Sequence, residues 1–394
     1  MTDETDDEDD DIWDPAGLEN SKPDASVTAK LFKQWRSPRL GRSNPERMNN
    51  PVWEWLVRCR VNAYGANKWF EGPSSFDAGP CWCFRRFGQS KTKLPDGRVV
   101  LIGGEHEDYY DPDFFIYNDV VVKRPDEDIE IYGYPEEAFP PTDFHSATLT
   151  EERIIIIGCL GYQKQRRPGV TTVYSLDLRS FHISVLKCTG TPPGWLHRHA
   201  AAFVPEESAI LITGGLIDTG DQDRPLVENI DDWKLHLSDR RWQRLTKRQW
   251  KRWDVRREDR RMNSLFEMSS AANWKKWIDN KWRPMPGSVF DPQIELEKEM
   301  GAFEERHGFV PDLDLLAELY TPPVTHEKVA PDEKEFRVHR ITVNGVTVRY
   351  NEDSNSIRVT VEGDLPTSTT DTIISDLLSK LSALERKPYE VIRL

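Results

Sequence analysis

Between residues 80 and 246 the apolar positions come in short bursts, each broken by a polar turn and closed by glycine. Three stretches share this order: Cys81-Trp82-Cys83-Phe84 through Val99-Val100-Leu101-Ile102-Gly103-Gly104; Phe144-His145-Ser146-Ala147-Thr148 through Ile154-Ile155-Ile156-Ile157-Gly158; and His199-Ala200-Ala201-Ala202-Phe203 through Ile210-Leu211-Ile212-Thr213-Gly214-Gly215. The turns Pro95-Asp96-Gly97, Thr150-Glu151-Glu152 and Pro205-Glu206-Glu207 separate two β-rich runs, which predicts one hairpin per stretch. A second strand pair is predicted after each glycine: residues 118–122 with 129–132, 174–178 with 183–186, and 233–237 with 242–245.

Four short strands recurring at about 55 residues is a propeller-blade period. A single four-stranded sheet has two faces to bury, so such units must cover one another. At these residues the chain resembles the kelch repeat family: in the apolar run ending at Gly103-Gly104 and Gly214-Gly215, in Asn118-Asp119-Val120, in Tyr174 and Trp233 of the third strand, and in Trp242 of the fourth. The resemblance spans about residues 80–246 and implies a mainly β fold built as a kelch-like β-propeller. Two positions depart from it, with Gly158-Cys159 in place of paired glycines and Ile183 where the third unit has Trp242. Kelch propellers close with more than three blades, so the resemblance also implies either an incomplete propeller or degenerate flanking blades. Residues 53–70 and the strands after residue 335 are the candidate donors.

The flanks follow other patterns. Residues 247–320 read as a helical segment, with Trp274, Trp277, Ile278 and Trp282 near one face that reads as core. Asp291-Pro292 is an N-cap and first-turn pair before residues 294–307, and Gly308 can end that helix. Residues 321–334, with Pro322, Pro323 and Pro331, read as a linker. Residues 335–394 read as a βββα unit. Asn344-Gly345 between two β-branched runs signals a type I′ hairpin, a third strand covers residues 357–361, and Thr370 or Asp371 can cap a helix with an apolar stripe from Ile373 to Leu384. That stripe lies on its own strands or pairs with a second copy of the chain, which leaves a homo-oligomer open.

Charge divides the chain further. The 394 residues carry a formal charge of -14, and residues 3–11 alone hold eight carboxylates and no cation. Such a block repels itself and has little to bury, so residues 1–28 read as an acidic disordered tail, followed by a Trp-rich basic segment over residues 29–79. Residues 247–261 hold eight cations interleaved with Trp250 and Trp253. This mixture suits single-stranded nucleic acid, whereas in an acidic chain it reads better as a solvated, salt-bridged helix. The longest apolar run, residues 154–160, is too short for a bilayer span, and the acidic start is unlike a secretory leader, so a cytoplasmic protein with reduced cysteines is expected.

Signals for chemistry are sparse. Glu105-His106-Glu107-Asp108 with Asp111 and Asp113 gathers hard oxygen ligands but lacks the alternation of a calcium loop. His145 and His199 occupy equivalent repeat positions, and His197 shares a strand face with His199. Cys81-Trp82-Cys83 lacks the second cysteine pair of a zinc site. Neither a phosphate-binding loop nor a nucleophile elbow is present, so no cofactor is called for. The expected function is a non-catalytic scaffold presenting rim loops to a protein partner. Its binding candidates are Glu105, His106, Tyr109, Tyr110 and Asp111 in the first loop, Arg166 and Arg167 in the second, and Asp218 and Asp221 in the third. The alternative is an enzyme with a pocket at the propeller axis served by His145, His197 and His199.

Overall fold

The computed structural model describes residues 27–73, 75–106, 114–221, 226–280, 291–332 and 335–394. The acidic block of residues 3–11 and residues Tyr109, Tyr110, Asp111 and Trp282 lie outside them. The chain divides into two compact units, Met1–Arg248 and Gln249–Leu394, built of helices and antiparallel sheets.

The first unit carries three sheets in succession. In the first, β1 (Glu46–Arg47) borders β7 (Ile129–Gly133), followed by β6 (Val120–Lys123), β3 (Val99–Ile102) and β2 (Ser90–Lys93), while β4 (Glu105–His106) and β5 (Phe115–Ile116) form a separate hairpin. The second holds β8 (Ser146–Leu149), β9 (Arg153–Ile157), β10 (Val173–Asp177) and β11 (Ile183–Val185). The third holds β13 (Ala200–Val204), β14 (Ala209–Thr213), β17 (Trp233–His236) and β18 (Arg241–Arg244). A small sheet of β12 (Trp195–His197), β15 (Leu216–Asp218) and β16 (Leu226–Glu228) accompanies the third. The first unit's opening strand is therefore Ser90–Lys93. Cys81-Trp82-Cys83-Phe84, expected to be that strand, is buried irregular chain held by Trp82 Nε1 on Asp119 Oδ2 at 2.8 Å and the Cys83 N–H on the Tyr117 hydroxyl at 3.1 Å.

Alternation within each strand sends one set of side chains to each face, so each sheet can bury both. Val100, Ile102, Val120 and Val122 of the first sheet meet Ile154, Ile156 and Leu176 of the second. The second sheet's opposite face places Ile155, Ile157 and Val173 against Ile210, Ile212, Trp233 and Leu235 of the third. The remaining face of the first sheet, with Leu101, Val121 and Ile131, packs beneath a helical cap in which Trp53 stacks on Trp82 at 5.1 Å. That cap contains α1 (Ala29–Trp35), α2 (Pro51–Cys59), α3 (Ala63–Trp69) and α4 (Ser75–Ala78). Residues 53–70, expected as a flanking blade, are thus helical. Asn50 accepts from the N–H groups of Val52 and Trp53, Pro51 fills the first turn, and Val52, Trp53, Leu56 and Val57 are buried. The outer face of the third sheet is mixed, with Ala200, Ala202 and Gln243 exposed, Leu211 half-buried and Lys234 paired to Glu207 at 2.6 Å.

Repeat-equivalent residues fasten the opening strands to one another. His145 Nε2 lies 2.8 Å from the Ser90 hydroxyl, and His199 Nε2 lies 2.8 Å from the Ser146 hydroxyl. The third sheet carries Ala200 at that serine position. Glycine is required where the sheets approach: a Cβ on Gly103 would lie 2.1 Å from the Thr142 carbonyl oxygen, and one on Gly158 2.1 Å from that of Leu196. Gly214, at the same phase of the third sheet, meets open space.

The second unit is a six-stranded sheet in the order β20 (Glu327–Lys328), β21 (Val338–Val343), β22 (Val346–Glu352), β23 (Ser356–Val361), β19 (Lys251–Arg257) and β24 (Tyr389–Arg393). Its helices are α5 (Leu265–Asp279), α6 (Pro292–His307), α7 (Leu313–Ala317) and α8 (Thr367–Glu385). The basic stretch read as a helix holds strand β19 at its centre: Trp253 and Val255 alternate into the core while Arg252, Asp254 and Arg256 point the other way. Local charge spacing could not reveal this, because β23 and β24, the partners that fix it, lie far downstream at residues 356–361 and 389–393. The stretch read as a linker contributes β20, and the strands after residue 335 complete this sheet instead of a blade.

The α8 stripe of Ile373, Leu377, Leu381 and Leu384 is covered by the unit's own core. This helix begins at Thr367, so Thr370 lies inside it with its hydroxyl on the Thr367 carbonyl, and neither Thr370 nor Asp371 is the cap. α6 starts on Asp291 and ends on Gly308 at φ 77, and Asn344 and Gly345 take φ 49 and 77. The tryptophans of α5 are not core. Leu265, Met268 and Ala271 form its buried face, while Trp274 packs edge-on to a 41% exposed Trp277.

Candidate binding surface

One register position organises the loop-bearing end of the three sheets. Gly88, Phe144 and Arg198, each just before an opening strand, have positive φ of 63, 48 and 56. The Phe144 N–H donates to the Gly88 carbonyl and the Arg198 N–H to the Phe144 carbonyl, both at 2.8 Å, and the Arg198 guanidinium lies 3.5 Å from the centre of the Phe144 ring. The residues immediately before them are Phe87, Asp143 and His197.

Asp143 is fully buried. Its Oδ1 accepts the Gly161 N–H at 2.6 Å, and Glu105 stands close enough to interact with its carboxyl. Burial raises the Asp143 pKa. Arg198 stands close enough to feel both carboxylates, and burial lowers its own pKa. Across the loops, Arg166 reaches from the second sheet to Asp218 of the third at 3.1 Å and also donates to the Gly161 carbonyl at 3.2 and 3.3 Å. Asp218 Oδ1 accepts the Gly220 N–H at 2.9 Å, fixing the turn that follows it.

The histidines of the alternative reading sit in the interior. Burial lowers the pKa of His145 to about 3 and those of His197 and His199 to about 4, so all three are neutral near pH 7. His145 and His199 use Nε2 on serines of the preceding sheet. Neither ring nitrogen of His197 has a hydrogen-bond partner among the described residues. Among those residues, no group of three or more His, Cys, Asp or Glu is placed to hold a metal.

No family profile matches this sequence, and no curated protein matches it. A solved structure titled "Structure of YjhT" is similar over 41% of this chain at 13% identity, with a TM-score of 0.30. The similarity covers 56% of that chain, so this one spans just over half of it.

Of the candidates read from sequence, Glu105 and the pair Arg166 and Asp218 fall within this network. His106 is buried, with Nδ1 3.2 Å from the Arg85 carbonyl, while Arg167 and Asp221 are exposed. Tyr109, Tyr110 and Asp111 lie outside the described residues. Sequence reasoning missed Asp143 and Arg198. The signal was their repeat phase, one residue before and one residue at the start of the aligned units, where a polar residue replaces Phe87 or Gly88. Among the described residues no helix is long and apolar enough to cross a membrane.

Proposed function

We propose that the protein is a non-catalytic interaction scaffold whose kelch-like sheets form part of a propeller and present their loops to a protein partner. The observation that carries this reading is the Arg166 to Asp218 tie. With the Gly161 contacts to Arg166 and Asp143, it ties the loops around the second and third sheets into one surface. Loops held on a rigid sheet stack can vary in sequence while keeping their position, which is what recognition needs. The test is affinity capture with the full chain and with a variant carrying a Gly-Ser segment in place of residues 162–169. Loss of a reproducible partner from the variant, with folding intact, is the expected result. Identical partner sets overturn the reading.

The buried, unpartnered ring of His197 favours one second reading, an acid–base group at this end of the sheets. Its test is a His197→Gln variant that abolishes an activity of the purified chain while leaving partner capture unchanged.

A further inference from the structure

A separate polar cleft of about 460 Å³ opens on the second sheet. Antiparallel pairing builds it: Asp177 stands opposite Arg153 on one side, and its N–H donates to the His182 carbonyl at 3.0 Å on the other. Two residues along the same strands, Ser175 stands opposite Ser184. Because side chains alternate with a period of two, Arg153, Asp177, His182, Ser175 and Ser184 all project from one face. The other end of that face, Ile155, Ile157 and Val173, is the part covered by the third sheet. Where that cover stops, the apolar pattern gives way to these five polar groups.

Their hydrogen-bonding states are fixed by their neighbours. The His182 Nδ1 lies 2.9 Å from the Asn44 carbonyl, which can only accept, so Nδ1 donates and the neutral tautomer of this ring is the one with its lone pair on Nε2. Asn44 is itself held, with Oδ1 accepting the Ile183 N–H at 2.9 Å and Nδ2 donating to the Ile183 carbonyl at 2.7 Å. Asp177 Oδ1 accepts from the Ser180 hydroxyl at 2.8 Å and from the N–H groups of Ser180 and Arg179, bonds that lower its pKa and keep it ionised. Ser175, only 3% exposed, lies deepest among these residues, while the exposed Arg153 and Ser184 side chains line the cleft beside it.

We infer that this cleft binds a neutral polyhydroxylated small molecule of monosaccharide size, with Arg153, Ser175 and Ser184 donating to it and His182 Nε2 and Asp177 accepting from it. The ligand class follows from the mixture. A phosphate or carboxylate would satisfy Arg153 and the serines but would face an ionised carboxylate and an imidazole lone pair. An ammonium would suit Asp177 but meet Arg153. Sugar hydroxyls donate and accept at adjacent positions, as the two rows of side chains require. The volume lies within the range of small-molecule sites.

The experiment is a titration of the full chain with D-glucose, D-galactose and D-mannose, and separately with inorganic phosphate, followed by amide shifts in TROSY spectra. At least one hexose is expected to saturate shifts centred on residues 153, 175 and 184, with a dissociation constant on the order of millimolar. Ser184→Ala and Arg153→Gln alter exposed side chains and leave the fold intact by circular dichroism. Each is expected to weaken binding at least fivefold. Saturation by phosphate alone would overturn the ligand class, and the absence of any saturable shift would overturn the site.

Discussion

Asp119 shows how much one side chain can hold. Its carboxylate takes the Arg86 guanidinium and Trp82 Nε1, while Arg86 also donates to the Cys83 and Gly103 carbonyls and lies 3.4 Å from the centre of the Tyr117 ring. Both charged groups are almost wholly buried. Asp119→Ala would strand a buried guanidinium, and we predict a loss of about 3–5 kcal/mol in denaturant unfolding, against under about 1 kcal/mol for the exposed pair partner Asp239→Ala. The inter-sheet histidines set a pH dependence. Their folded pKa values, about 3 for His145 and about 4 for His197 and His199, lie below the unfolded value of 6.5, so the unfolded chain binds more protons. Their stabilising contribution is complete above pH 6.5 and falls as the pH drops toward 4, by about 2 kcal/mol per histidine at pH 5. Chevron or equilibrium denaturation at pH 7.5 and 5 measures this, and His145→Gln should shrink the difference. Asp143 acts in the opposite sense, since its raised pKa makes ionisation unfavourable as the pH rises. Asp143→Asn is therefore predicted to leave stability at pH 8 unchanged or higher, because it removes the cost of ionising a buried carboxyl. None of these pairings was legible from sequence, because each joins residues whose separation only the folded repeat removes.

The elements divide by how local their causes are. The hairpin at Asn344-Gly345 and the helix between Asp291 and Gly308 could be read because caps and positive-φ turns are written in adjacent residues. The apolar hairpins of the second and third repeats were equally plain. Strand β19 was not, since its charges match a helix surface and only its distant partners make it a strand. The opening strand of the first unit was misplaced onto Cys81 for a related reason, as aromatic and thiol residues fill a cap as readily as a sheet. The repeat glycines test the assembly of these elements. Gly158→Ala would drive a Cβ against the Leu196 carbonyl at φ 70, whereas Gly214→Ala at φ 61 meets no atom. We predict a cost of about 1–2 kcal/mol at Gly214 from backbone strain alone and at least twice that at Gly158, measured as shifts in urea midpoint.

At the scale of the molecule, each hydrophobic cluster among the described residues draws on a single unit: three lie within Met1–Arg248 and the fourth, around Val255, Val348, Val359 and Leu381, within Gln249–Leu394. A chain of residues 249–394 alone is predicted to fold cooperatively, with a thermal transition by circular dichroism and dispersed amide signals. A molten or unfolded fragment would refute it. The division near residue 248 is faintly visible in sequence, where the strand-turn-glycine rhythm ends at Leu245, but the charge run beyond it masks the start of the next sheet. The order of residues along the opening strands also gives the array a direction. Each serine bonds the histidine of the sheet that follows, and the last sheet has a methyl group there, beside a glycine whose added Cβ would meet nothing within 4 Å. A duplicated copy of the second repeat spliced in after the third would consequently find no serine there for its leading histidine to bond.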